Sequence, residues 1–208
     1  MAPLDPEPLD YIRAGAALFN TGHYLAAHEP WEERWLDASA GDRDDCLQGL
    51  IQATAAVYKS KIENRSGAKG LANSAQEYLD GTSVRDANVD TGELSAWLAR
   101  LEADPGLGTR EHPPRLRVDG TVVTPSNLAF PAAGLAVEAV AETRDDEIVE
   151  RALAYAQADL AAGRPTSPFV TLTLDYLRDD ENDIIRTRLA QHVERRAAKD
   201  EDVAGLFE

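Results

Sequence analysis

"CLQGLIQATAAVY", residues 46–58, holds no charged side chain, although 28% of the residues in the chain are charged. In so charged a sequence a helix-length stretch of this kind marks a buried, central helix, and apolar positions fall on helical spacing. Cys46, Leu50, Ala53 and Val57 make one stripe, with Leu47, Ile51, Thr54 and Tyr58 beside it. Gly49, Ala53, Ala56 and Ser60 make a third, of small residues, where another helix can approach closely. The remaining face carries Gln48, Gln52 and Lys59. Working outward, a helix over 46–62 therefore anchors a helical bundle.

Upstream lies "FNTGHYLAAHEPWEERW", residues 19–35. Tyr24, Ala27, His28, Trp31 and Trp35 follow the i, i+3/i+4 rhythm of a helix over 23–38, with Pro30 inside it to kink or loosen a turn. A short helix over 9–19 leads in through the turn at Asn20-Thr21-Gly22. Downstream, a turn at 64–67 opens a helix with Ala68, Leu71, Ala75 and Leu79 inward and Gly81 as its stop. Thr91 caps a further helix that packs Leu94, Trp97, Leu98 and Leu101.

The Pro- and Gly-crowded segment 104–114 reads as a linker, dividing a helical bundle at 8–103 from a C-terminal region at 115–208. "LRVDGTVV" signals a two-residue Asp-Gly hairpin. Helices follow at 126–142, 145–162, 168–178 and 182–198. "FVTLTL" has strand composition, but Ser167-Pro168 is a strong helix start, and helix is expected. The expected fold is mostly α: an N-terminal helical bundle plus a C-terminal helical region with one β-hairpin.

The bulk numbers exclude some classes. There are 37 Asp and Glu against 21 Lys and Arg over 208 residues, a net charge of −16, and only four of the cations are lysines. That balance disfavours nucleic-acid binding, since no basic patch can displace counterions. It resembles the composition of proteins from a salt-rich cytoplasm, where screening relieves self-repulsion. No apolar run approaches the roughly 20 residues that a membrane helix needs. An acidic, Pro-rich N-terminus is unlike a signal peptide, and the lone Cys46 allows no internal disulfide. Together these features point to a cytoplasmic protein. No cofactor can be named; a homo-oligomer and a small polar ligand stay open as partners.

The chemistry-bearing residues gather in the two central helices. On a helical wheel His28 lies within the aromatic face of 23–38, with Glu32 on one flank and Glu29 at the opposite edge. An inward imidazole needs partners, and Glu32 at i+4 can supply one. Gln48 and Gln52, four residues apart on the uncharged helix, need partners too. A polar pocket of His28, Glu29, Glu32, Gln48 and Gln52 between the two helices is therefore expected.

"FN-x-G-x-Y-x-x-AHE-x-WE-x-x-W", "LQGLIQA" and "N-x-x-GA-x-x-L" in this order resemble a prokaryotic family, domain of unknown function 309, over residues 9–101. The resemblance implies a small all-α domain and no established activity. Two positions depart from the pattern. Lys59 stands where a histidine is frequent, and Glu63 where a glycine precedes Asn64, so a mechanism needing a second histidine lacks it.

Three readings follow. The polar cluster is a structural network that fixes helix register. Or it binds a small polar ligand, with Asn20, Trp31, Trp35, Gln48, Gln52 and Lys59 as binding residues. Or it is a hydrolase-like catalytic site, with His28, Glu29 and Glu32 in acid–base roles, or His28 and Glu32 chelating a metal at i, i+4. Only two ligands are local in that chelate; His23 stands at the helix start, and His112 and His192 lie in the other half. Cys46 is no nucleophile, because burial on an apolar stripe raises a thiol's pKa.

Overall fold

A computed structural model describes residues 5–39, 43–84 and 87–204. Among them the fold is mostly α, with nine α-helices, two 3-10 turns and one two-stranded antiparallel hairpin. The helices are α1 (Pro8–Asn20), α2 (Tyr24–Asp37), α3 (Asp45–Lys61), α4 (Arg65–Leu79), α5 (Gly92–Ala103), α6 (Phe130–Arg144), α7 (Glu147–Ala161), α8 (Pro168–Arg178) and α9 (Asp183–Ala204). Strands β1 (Arg117–Val118) and β2 (Thr121–Val122) form the hairpin. The 3-10 turns are Leu107–Thr109 and Pro125–Asn127. Compactness groups Pro6–Ala136 in one unit and the chain from Val137 in a second.

In the first unit α3 is central, and it packs on α2 and α4. Asp44 caps it by accepting from the Leu47 N–H at 3.1 Å, and Lys59 and Lys61 complement the dipole at its end. The small-residue stripe does what its spacing predicts. A Cβ on Gly49 would stand 2.7 Å from the Leu79 side chain and 3.2 Å from its backbone nitrogen, so α4 crosses there at glycine-only separation. Further along, Ser60 Oγ donates to the Pro105 carbonyl at 2.7 Å and accepts from the Gly108 N–H at 3.0 Å. The turn Leu107–Thr109 is thereby tied to α3, with Leu107 and Gly108 buried. The division between 8–103 and 115–208 remains a proposal for limited proteolysis to test.

α1 and α2 meet through a second close approach. Trp31 is fully buried, its Nε1–H donates to the Ile12 carbonyl at 3.1 Å, and its ring fills the space over Gly15. A Cβ at Gly15 would lie 2.4 Å from that ring.

The Asp-Gly turn has the expected left-handed geometry, with φ 51° at Asp119 and 75° at Gly120. Asn20, the last residue of α1, fixes the hairpin region. Its Nδ2 donates to the carbonyls of Leu116 at 2.9 Å and Val123 at 2.8 Å, and its Oδ1 accepts from the Leu116 N–H at 2.7 Å.

In the second unit α7, α8 and α9 pack on one another. α8 is a helix as its Ser-Pro start predicts, with Ser167 Oγ accepting from the Val170 N–H at 3.3 Å. Phe169 packs at a tilt on Tyr155 and edge-on against His192. Two buried aspartates hold the unit together. Asp146 caps α7 and accepts from Arg186 Nε at 2.6 Å. Asp159 accepts from Arg164 and, at 3.4 Å, from Arg196.

Candidate functional site

α2 begins at Tyr24, one residue after the expected start, and Pro30 stands in its interior, so the Ala26 carbonyl has no i+4 N–H to accept from. Its buried residues are Tyr24, Ala26, Ala27, Pro30 and Trp31. They place the centre of the inward face on the small residues, which let neighbouring helices approach. His28 therefore sits on the rim of that face rather than within it, with its side chain 25% exposed. The expectation of a buried site is corrected accordingly. Of the three aromatics expected on this face, Tyr24 and Trp31 are buried, whereas Trp35 is only half-buried, with the Arg43 guanidinium 4.0 Å over its ring.

His28, Glu29 and Glu32 do come together. His28 Nδ1 meets the Leu25 carbonyl oxygen, to which it can only donate, and this orients the ring so that Nε2 faces outward. Nε2 faces Glu29 Oε1 at 3.2 Å and Glu32 Oε2 at 3.9 Å, and these two carboxylates are 40% and 47% exposed. One ligand atom from each residue lies within 4.8 Å of the others. An imidazole and two half-exposed carboxylates grouped in this way can share a proton or hold a cation.

The other expected site residues have different surroundings. Gln48 and Gln52 are half-buried on α3, and among the described residues no hydrogen bond joins either to His28. The Trp31 ring packs over Gly15 and is fully buried. The Asn20 amide is occupied by the backbone of Leu116 and Val123. Lys59 is half-buried, with Nζ 5.8 Å from the centroid of the Tyr58 ring. Burial raises the Cys46 thiol, against a hydrogen bond with Thr82, which agrees with an inert cysteine.

Sequence reasoning missed an open pocket of about 300 Å³ at the α1–α2 corner, lined by Phe19, Asn20, Tyr24 and residues 112–115. In the sequence the Pro113-Pro114 pair, which forms its far wall, signals only a break between helices. Burial pushes the Tyr24 hydroxyl up to about 12, so it stays a neutral donor.

These features define a small α-helical domain with a polar cluster on its second helix. Residues 12–71 match the family model of Domain of unknown function (DUF309), which agrees with the resemblance of the N-terminal half. An uncharacterised protein of Aquifex aeolicus (strain VF5) is 31% identical over 113 residues, covering 52% of this chain and 32% of the relative. The alignment thus spans about a third of that relative's length. No solved structure matches the chain.

Proposed function

We propose that the α2 cluster is a divalent-cation site, with His28 Nε2 and the carboxylates of Glu29 and Glu32 as ligands. The observation that carries this reading is the 4.8 Å grouping of three ligand atoms on one helix face, with the Nδ1 proton already committed to the Leu25 carbonyl. A backbone carbonyl on one ring nitrogen is the usual way a ligating histidine is oriented. Packing supports the reading by subtraction. Phe19, Tyr24, Ala27 and Trp31 of the same motif are core residues, while His28, Glu29 and Glu32 are partly exposed at the rim. A mixed nitrogen and carboxylate set suits zinc or manganese. The exposed side leaves positions for water, so a hydrolase-like, metal-assisted step is the activity that fits. The acid excess and the lone cysteine support a salt-rich cytoplasm as its setting.

Titration of dialysed protein with zinc and with manganese, followed by calorimetry, tests the site. One ion should bind per chain, His28→Ala should abolish binding, and Glu32→Gln should weaken it by roughly tenfold or more. Glu33→Gln, one position along and exposed, should leave it unchanged. Because Glu32 is half in water, its substitution should cost under about 0.5 kcal/mol of stability. Binding that survives His28→Ala, or no binding at all, would refute the proposal.

A further inference from the structure

The pocket at the α1–α2 corner has a charge character opposite to that of the chain around it. The sequence carries 37 acidic residues, yet no Asp or Glu lines this pocket. Arg115 and His112 do. The neighbouring arginines are committed, Arg100 to Glu111 at 2.5 Å and Arg110 to Asp104. Arg115 makes no ion pair among the described residues and is exposed. A second cation stands nearby, with Lys61 Nζ 5.5 Å from the centroid of the Tyr24 ring.

The pocket is also a built site. Tyr24 is only 4% exposed, and its ring is locked edge-on against Phe19 at 5.3 Å between centroids. Its hydroxyl makes no hydrogen bond among the described residues, and Tyr24 is one of the residues that line the pocket. The pocket sits beside the start of α2. Opposite, the Asn20 amide grips Leu116 through both its N–H and its carbonyl, which sets the backbone of Arg115 in place.

We infer that this pocket binds a small monocarboxylate, its carboxylate held by the Arg115 guanidinium and the Tyr24 hydroxyl and its apolar body lying between Tyr24 and the Pro113-Pro114 wall. Arginine offers a planar fork that matches a carboxylate, and the tyrosine offers one neutral donor. The apolar walls favour an organic acid over an inorganic anion. A volume of about 300 Å³ is at the lower end of pockets that take small molecules, roughly 300–1,000 Å³. The site is separate from the α2 cluster and does not depend on it.

The test uses benzoate as probe, benzyl alcohol as its uncharged counterpart and inorganic phosphate as the rival anion. Binding to the full chain is followed by ligand-observed NMR and calorimetry at fixed ionic strength. Benzoate should bind saturably and benzyl alcohol should not. Arg115→Gln should weaken benzoate by roughly tenfold, the worth of one charge-assisted hydrogen bond. Tyr24→Phe keeps the ring packing and should also weaken it roughly tenfold, because the lost hydroxyl donates to a charged carboxylate. Both variants should melt as the parent does, and His28→Ala should bind benzoate as the parent does. Equal binding of benzyl alcohol, or unchanged affinity in Arg115→Gln, would overturn the site. Phosphate binding that exceeds benzoate with the same Arg115 dependence would overturn the carboxylate assignment.

Discussion

In the Pro6–Ala136 unit the tightest contacts set glycine backbone against a larger neighbour: Gly15 under Trp31, Gly49 under Leu79, and Gly108 against Ser60. The unit from Val137 is held differently. Its anchors are Asp146 and Asp159, aspartates 7% and 3% exposed, with arginines from elsewhere in the same unit. The difference shows how an acidic chain spends its few cations. Where shape alone closes the packing, arginines such as Arg115 stay at the surface; where carboxylates are buried, arginines are drawn in to neutralise them. The first solution is blind to pH and salt, and the second is not.

The largest effect that would break the comparison is steric. Gly15→Ala puts a methyl 2.4 Å from the Trp31 ring, and relief requires moving a fully buried indole. A loss of about 3 kcal/mol is expected from the urea midpoint, at the upper end for overpacked cores. A change under ~0.5 kcal/mol would mean that α1 and α2 can part without cost.

The charged unit should fail in acid. Burial pushes the Asp159 carboxyl up, but hydrogen bonds from Ser167 and Arg164, the Arg164 charge and Arg196 outweigh it, and the net position is below the usual carboxylate range. Asp146 is likewise lowered, with burial outweighed by Arg186 and the N–H groups of Val149 and Ile148. A depressed carboxyl stabilises the fold fully above its unfolded pKa of about 3.9, and that contribution is lost as pH falls through the folded value. Asp159→Asn should therefore cost about 2 kcal/mol at pH 7, reduced from the value for a fully buried pair because Arg164 is half-exposed. The cost should shrink between pH 4 and pH 2, and a cost constant over that range would remove the ionic account.

Salt should have the smallest effect. Diluting KCl from molar to millimolar lengthens the Debye screening distance from about 3 Å to beyond 30 Å, and the net charge of −16 then repels itself. A fall in melting temperature of about 2–4 °C, roughly 1 kcal/mol for a chain of this size, is expected by calorimetry. No fall would detach the acid excess from any need for salt.

The sequence made some of this legible. The periods of α1, α2 and α3 located those helices to within a residue or two, because amphipathic spacing is a local signal. Asp119-Gly120 gave the hairpin for the same reason, since only a left-handed pair closes so short a turn. The facing of α2 is only partly legible: Tyr24, Ala27 and Trp31 point inward as their spacing predicts, but the interior extends to Ala26 and Pro30, which leaves His28 at its rim. Asn20 was read as a turn residue with a binding role, and nothing in its neighbours announces partners at 116 and 123. Asp159 is one acid among many, and only the fold distinguishes it.

The grip of Asn20 also bears on how the chain is made. Its partners lie 96 and 103 positions downstream, so α1 through α5 leave the ribosome before the amide has anything to hold. At about 5–20 residues per second that interval is roughly 5–20 s, long beside the time a helical bundle needs to collapse. During it the corner between α1 and α2 presents a bare amide and an unroofed Tyr24 to whatever is nearby. The hairpin then arrives as a late latch, closing the corner and building the second wall of the pocket in one step.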